Sequence, residues 1–168
     1  YPYMSIATPF DEFRATIKPE WIDNNKHLNM GYYMVVFDLA TDEFMKFIHL
    51  TGPHRREHQV TTFSLEGHIT YNREIGEGEP MRFTTRLLEF DEKRFHYIHH
   101  MYHGEEGYLA STNELMSLHV SLATRRATAM QPAILERLAA IKAAHDTLPP
   151  DPYIGRLIGL RAKATTNT

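Results

Sequence analysis

The stretch WIDNNKHLNMGYY, residues 21–33, places an acid, three amides and a histidine directly before a run of apolar residues. A helix that begins here would have Asn29 as its N-cap and would direct the backbone N–H groups of Met30 to Tyr32 outwards. Asp23 lies a few residues upstream, and a carboxylate facing N–H donors is suited to hydrolysis of an acyl bond, because the donors stabilise the oxyanion. The simpler interpretation is that Asp and Asn accept local backbone hydrogen bonds and that Asn29 is only a cap.

A long helix is predicted directly after this loop. Residues 31–50 have no Gly or Pro beyond the first position, and their polar side chains recur at helical spacing. Residues 32–37 carry no charge, so we expect protein to surround the first two turns. Gly52 and Pro53 would end the helix in a loop over residues 51–59. The polar side chains predicted to form one stripe on the helix are Asp38, Asp42, Lys46 and His49.

Period-two alternation of apolar and polar residues predicts strands on both sides of this helix. Pro132 opens an amphipathic helix that runs to about residue 145, with one face formed by Ile134, Leu135, Leu138 and Ile141. We therefore expect an α+β fold in which an antiparallel sheet wraps around a long central helix. A single sheet leaves exposed edges, which predicts a homodimer. The predicted strands cover residues 13–18, 61–71, 81–90, 94–103 and 108–120.

Length and composition limit the possible classes of protein. The chain has 168 residues, of which 42% are hydrophobic and 23% charged, so we expect one domain over residues 1–150 with a tail or arm over residues 151–168. A formal charge of -3 predicts no binding to nucleic acid. The absence of cysteine excludes disulfides, thiolate ligands and a cysteine nucleophile. No apolar run approaches the roughly 20 residues of a membrane span, and we expect a cytoplasmic protein without membrane association.

The loop and the strands together resemble a known family. The sequence DNNKHLNMGYY, with Asp23, His27, Asn29 and Tyr33, resembles the D-x-N-G-H-x-N-x-x-Y-Y pattern of hotdog-fold acyl-CoA thioesterases of the 4-hydroxybenzoyl-CoA thioesterase type. EGHITYNRE, DEKRFHYIHHMYH and LASTNELMSLHV are similar to the subgroup that hydrolyses betainyl-CoA in carnitine degradation, which is also found fused to carnitine dehydrogenases. The resemblance covers roughly residues 12–145. Lys26 departs from it, since it stands at the Gly of the pattern.

The resemblance implies a hotdog fold, dimers or tetramers with active sites at the subunit interface, and hydrolysis of a small acyl-CoA thioester, with betainyl-CoA as the best candidate. It implies no metal and no cofactor beyond the coenzyme A of the substrate. Asp23 matches the catalytic Asp, as base or as nucleophile, and the amide of Met30 or Gly31 matches the oxyanion donor. Asn25 and His27 complete the expected catalytic set. Two alternatives remain: another acyl-thioester reaction on the same fold, such as dehydration, and a non-catalytic acyl-CoA binding or regulatory module.

Further residues are predicted to contact the substrate. Glu66 and His68 are two apart on a strand and, with Tyr71, match the E-x-H-x-x-Y of the betainyl-CoA subgroup. Glu66 could orient a water molecule or balance a cationic acyl group. A trimethylammonium group would also favour an aromatic enclosure, although aromatic residues near a helix start often belong to the core. The expected substrate-binding set is Trp21, Asn29, Tyr32, Tyr33, Glu66, His68 and Tyr71, with Tyr97 as a further ring of the enclosure.

The phosphates of coenzyme A require local cations. Lys93 and Arg94 lie at a predicted hairpin tip, and Arg125 and Arg126 lie just past the last strand. We favour the second pair, although charged tips are often simply solvated.

Eleven histidines raise the question of a metal site. In the run from residue 96 to 103, His96 and His100 would face one side of a strand, and His99 and His103 the other. His54 and His58 lack an evident third ligand. We therefore expect no metal site.

Overall fold

The computed structural model describes residues 5–160 of the chain. Within these residues, five antiparallel strands form one sheet with the order β1-β3-β4-β5-β2. The strands are β1 (Arg14–Thr16), β2 (Val60–Tyr71), β3 (Pro80–Phe90), β4 (Arg94–His103) and β5 (Leu109–Ser121). The helices are α1 (Met30–Phe47), α2 (Gly52–His58) and α3 (Pro132–His145).

The sheet curls around α1 and buries one side of it. Val36, Phe37 and Phe44 of α1 have no exposed surface, and they pack among inward side chains of the sheet such as Phe83 and Tyr97. The α+β arrangement of a sheet around a central helix is therefore confirmed. Four of the five predicted strands agree with the observed ones to within one residue at either end, whereas β1 is shorter than predicted.

The outer side of α1 is exposed in this single chain. We expected protein around its first two turns, but Met30, Met34 and Val35 are 68%, 42% and 44% exposed. For the chain alone this prediction is wrong, because the curled sheet covers only one side of the helix. An apolar surface of this kind is typical of a protein–protein interface.

The C-terminal end of α1 also differs from the prediction. The helix ends at Phe47, and His49 adopts a left-handed conformation with φ 69°. The N–H groups of His49 and Leu50 donate hydrogen bonds to the carbonyls of Lys46 and Met45 in the last turn, which ends the helix. His49 therefore does not continue the polar stripe.

The predicted loop over residues 51–59 is instead a helix, α2. The Thr51 side chain accepts a hydrogen bond from the His54 N–H, Pro53 lies in the first turn, and Gln59 ends the helix in a left-handed conformation. These are ordinary start and stop signals, and the loop prediction was wrong because it took Gly52 and Pro53 only as the end of α1.

Helix α3 has the predicted bounds and is fixed by a buried histidine. His145 Nδ1 accepts a hydrogen bond from the N–H of Leu87, beside the β-bulge of β3, and its Nε2 donates to the carbonyl of Ala7. Burial lowers the pKa of His145, which keeps the imidazole neutral, as this arrangement of one donor and one acceptor nitrogen requires.

The segment after α3 lies on the outer face of the sheet. Asp151 forms an ion pair with His100, 2.8 Å between Oδ2 and Nε2, and the carbonyl of Pro149 accepts from Arg86. The N–H of Gly155 donates to Glu114. The first part of the expected tail is thus attached to the sheet, and residues 161–168 lie outside the described residues.

Candidate active site

The polar loop before α1 forms a small hairpin. Ile22 and Leu28 pair as an antiparallel bridge, and the N–H of Asn29 donates to the carbonyl of Trp21 at 2.9 Å. Lys26, near the tip, has φ 62°, a left-handed conformation that glycine adopts at little cost. This conformation explains why glycine suits the position in the family pattern, and the Lys26 backbone takes it despite the side chain.

The carboxylate of Asp23 is held within this hairpin. Its Oδ1 accepts hydrogen bonds from the backbone N–H groups of Asn25, at 2.9 Å, and His27, at 3.3 Å. Its Oδ2 has no hydrogen-bond partner within residues 5–160. One oxygen is therefore fixed by the loop, and the other is available to accept a proton or to attack a carbon. Asn25 and His27, both expected in the catalytic set, contact Asp23 through their backbone and not through their side chains.

Asn29 caps α1, as predicted, and its Oδ1 accepts from the N–H of Gly31 at 2.9 Å. The N–H of Tyr32 donates to the Asn29 carbonyl. Of the three amides expected to point outwards, only that of Met30 makes no hydrogen bond to another described residue. The expectation that all three would be free is wrong, because the cap itself uses two, and Met30 is the remaining candidate for the oxyanion donor.

Behind the hairpin lies a group of tyrosines and acids. Tyr33 is only 6% exposed, and its ring contacts Tyr71 edge-on at 5.1 Å. Burial raises the pKa of Tyr33 to about 12, and the neighbouring Tyr108, Tyr71, Glu74 and Asp23 contribute. Tyr33 therefore remains a neutral hydroxyl near the Asp23 carboxylate.

A groove of about 570 Å³ runs from the start of α1 along its exposed side to β2. We call it the α1–β2 groove, and none of its lining side chains is Lys, Arg or His. Asn113 at its base is fully buried; its Nδ2 donates to the Met34 sulfur at 3.4 Å, and its Oδ1 has no partner within residues 5–160. The lining residues that carry the later argument are Gly31, Met34, Asp38, Glu66, Gly67 and Asn113.

Sequence reasoning missed Asp38 and Asn113 as groove residues. Asp38 was assigned to a solvent-facing stripe, and Asn113 stands at an inward position of β5, where a polar residue on a buried face was the available signal.

A buried polar chain lies beneath this part of α1. Thr41 Oγ1 is 2.8 Å from His99 Nε2, and Thr85 Oγ1 is 2.6 Å from His99 Nδ1. Burial lowers the pKa of His99 to about 3, so the imidazole is neutral at ordinary pH. Such satisfied buried chains fix side-chain positions in the core.

The four rings proposed to enclose a cationic group do not converge. Trp21 and Tyr33 belong to one hydrophobic cluster and Tyr97 to another, and all three are at most 6% exposed. The hydroxyl of Tyr97 pairs with Ser117 in the core. Of the four, only Tyr32 is substantially exposed, at 38%. The enclosure fails because helical and strand periodicity direct the other rings into the core.

The other expected substrate contacts separate in the structure. Glu66 lines the α1–β2 groove, whereas Tyr71 lies against Tyr33. No hydrogen bond or ring contact connects His68 with either residue within residues 5–160. The predicted cluster of the three does not form, since Glu66 and Tyr71 are an odd number of residues apart and face opposite sides of the strand.

The expected phosphate-binding cations differ in availability. Arg94 donates from Nε and Nη2 to the same oxygen of Asp91, Oδ2, and the Nζ of Lys93 lies 3.9 Å from Glu92 Oε1. Arg125 and Arg126 are exposed in the turn after β5, and their side chains have no ion-pair partner in the described part of the chain. The second pair therefore remains the stronger candidate.

The histidine run has the predicted alternation. His99 and His103 are buried on the inner side, while His96 and His100 pair with Glu114 and Asp151. No group of three metal-ligating side chains occurs within residues 5–160. Over the same residues, no helix has the length and apolar character needed to cross a bilayer.

Comparison with proteins of known sequence identifies relatives. A family model described as the thioesterase-like superfamily matches residues 17–138. The betainyl-CoA thioesterase of Pseudomonas aeruginosa is 36% identical, over 88% of this chain and 93% of that protein. The L-carnitine dehydrogenase/betainyl-CoA thioesterase of Agrobacterium fabrum is 30% identical over 94% of this chain, but this chain spans only 32% of that longer protein.

Solved structures agree with these matches. A Staphylococcus aureus protein determined in complex with CoA superposes with a TM-score of 0.84 and 28% identity, covering 91% of this chain and 96% of that one. A putative thioesterase of Pseudomonas putida gives a TM-score of 0.78 and 29% identity, covering 92% of this chain and 98% of that one. The chain belongs to the thioesterase-like superfamily, and it is a thioesterase with the hotdog fold.

Proposed function

We propose that this chain hydrolyses betainyl-CoA to betaine and free CoA. The substrate comes from the likeness to the Pseudomonas aeruginosa enzyme, which extends over nearly the whole of both proteins. The observation that carries the proposed chemistry is the start of α1, where, among residues 5–160, the N–H of Met30 has no hydrogen-bond partner and the preceding hairpin fixes only one oxygen of Asp23. CoA binding by the Staphylococcus aureus relative supports the same class of substrate.

Two routes are compatible with this arrangement. In the first, Oδ2 of Asp23 takes a proton from a water molecule whose oxygen adds to the thioester carbon. In the second, Oδ2 adds to that carbon itself and forms a mixed anhydride, which water then hydrolyses. In both, the Met30 N–H stabilises the carbonyl oxygen as it gains negative charge. In both routes the C–S bond breaks when the tetrahedral intermediate collapses, which in the second route is the step that forms the anhydride, and CoA leaves as a thiolate that is protonated to the thiol.

We further propose that the active unit contains two copies of the chain. The exposed apolar side of α1 continues onto β2, where Phe63, Leu65 and Tyr71 are 47%, 53% and 49% exposed. β2 is also an edge strand of the sheet, and exposed edges readily pair with another strand. A second copy would cover both surfaces and would close the α1–β2 groove from outside.

Release of free thiol from a panel of acyl-CoA esters tests the proposed function. We expect turnover of betainyl-CoA that exceeds turnover of acetyl-CoA and longer neutral acyl-CoAs. Tight binding of CoA esters without thiol release from any of them would instead indicate a non-catalytic binding module. Release of a hydrated or dehydrated acyl-CoA without free thiol would indicate another reaction on the same fold.

A further inference from the structure

The base of the α1–β2 groove holds an amide whose hydrogen-bonding capacity is unmet. Asn113 is fully buried, its Oδ1 has no partner within residues 5–160, and its Nδ2 meets only the thioether of Met34. Burying a polar group without a hydrogen-bond partner destabilises the fold, and few such groups occur in native proteins. The open oxygen therefore points to a group that enters the groove.

The backbone beside this amide leaves room for such a group. A Cβ added at Gly67 would lie 3.7 Å from Asn113 Oδ1 and 3.2 Å from Leu115 Cδ2. Because position 67 lacks a side chain, the space in front of the amide oxygen stays open to the groove. Met34, which contacts the amide, lies one helical turn from Met30, or about 6 Å along the axis. A small acyl group bound with its carbonyl at the Met30 N–H would extend to Asn113.

The charges around the groove are of one sign. Asp38 lines it one helical turn beyond Met34 and forms no ion pair or side-chain hydrogen bond with another residue of the described range. The side chain of Glu66, the other acid at the groove, faces the opposite side of β2 from Asn113, because Gly67 is the residue that pairs with Leu115. No lining side chain is cationic. An amide oxygen acceptor and a carboxylate, with thioether and aliphatic walls, favour a compact cation that has methyl groups on its surface. The same groove repels an anionic acyl group, and its negative charge does not attract a neutral one.

We propose that the α1–β2 groove is the subsite for a cationic, quaternary ammonium acyl head. Asn113 is its near contact, and Asp38 supplies a negative charge on the same side of α1, about 12 Å along the helix axis from Met30. This inference rests on the proposed function for the position of the thioester. It replaces the aromatic enclosure as the source of selectivity for betainyl-CoA, since three of those four rings lie in the core.

A pair of non-hydrolysable thioethers tests this subsite by calorimetry. One carries a 2-(trimethylammonio)ethyl group on the sulfur of CoA, and the other carries the 3,3-dimethylbutyl group, in which carbon replaces the charged nitrogen. We expect the charged thioether to bind the full chain at least about tenfold more tightly. The ratio of the two dissociation constants should fall towards one in Asn113→Ala and in Asp38→Asn.

Asp38→Asn changes only an exposed side chain, so it remains informative if Asn113→Ala does not fold. Asp42→Asn is the matched control, because it removes an acid from the next turn of α1 outside the groove lining, and it should keep the wild-type ratio. A wild-type ratio near one, or a ratio that stays at the wild-type value in Asp38→Asn, would overturn the inference. If the protein releases thiol from betainyl-CoA but the ratio of the two dissociation constants is near one, the proposed function stands and the subsite is wrong. Tighter binding of the charged thioether without thiol release from betainyl-CoA would contradict the proposed function and support the subsite.

Discussion

At the scale of single residues, the conformation of Lys26 gives a stability prediction. A left-handed backbone, here with φ 62°, costs a non-glycine residue roughly 1–2 kcal/mol. Glycine avoids this cost, but it loses more conformational entropy on folding, which offsets part of the gain. Lys26→Gly should therefore raise the free energy of unfolding by about 0.5–1 kcal/mol in urea denaturation.

The matched control is Lys18→Gly, because Lys18 has an ordinary φ of -82°. That substitution should lower stability or leave it unchanged. A destabilised Lys26→Gly protein would mean that the Lys26 side chain contributes more to the loop than its conformation costs.

The roles of individual residues were only partly predictable. The Asn29 cap followed from its type and position, because Asn is a preferred cap. The sequence did not predict that the N–H groups of Gly31 and Tyr32 would both donate to Asn29, because this depends on which oxygen accepts from which N–H. Asn113 could not be placed at all, because its site arises from β5 meeting the side of α1.

At the scale of elements, His145 makes the attachment of α3 sensitive to pH. Burial lowers the pKa of His145 in the folded state, so the unfolded chain binds the proton more readily than the folded one. The contribution of His145 to stability is complete above its unfolded pKa of about 6.5 and is lost as the pH falls below that value. In His145→Gln the free energy of unfolding should therefore decline less steeply between pH 6.5 and 5, by at most about 1.4 kcal/mol per pH unit.

Chemical denaturation at several pH values measures this slope. Leu135→Ala, which weakens the packing of α3 on the core without removing an ionisable group, serves as the control and should leave the slope unchanged. An unchanged slope in His145→Gln would mean that other buried histidines, such as His99, account for the loss of stability in acid.

The positions of most helices and strands were predictable from the sequence. Strand alternation and the Pro132 start signal fixed β2 to β5 and α3, because local pattern and tertiary burial agree there. α2 was missed, since Gly52 and Pro53 both end one helix and begin the next. The end of α1 was also missed, because a left-handed His49 has no strong sequence signal.

At the scale of the whole molecule, the exposed apolar surface of α1 and β2 predicts self-association. Leu65→Arg places a charge in this surface, where Leu65 is 53% exposed. We expect sedimentation velocity to show a dimer or larger assembly for the wild type and a shift to monomer for the variant, with loss of thiol release. Ala139→Arg on the exposed side of α3 should change neither. A wild-type monomer with full turnover would contradict the two-copy unit.

The proposed hydrolysis depends on the carboxylate of Asp23 acting on a thioester beside the Met30 N–H. Asp23→Asn tests this directly, because an asparagine oxygen can still accept from the N–H groups of residues 25 and 27, so the hairpin is kept. Thiol release from betainyl-CoA should fall at least about 100-fold in kcat, while binding of the charged thioether stays within about threefold and Glu20→Gln keeps wild-type turnover. An Asp23→Asn enzyme that retains a kcat within about threefold of the wild type would show that the reaction uses another group.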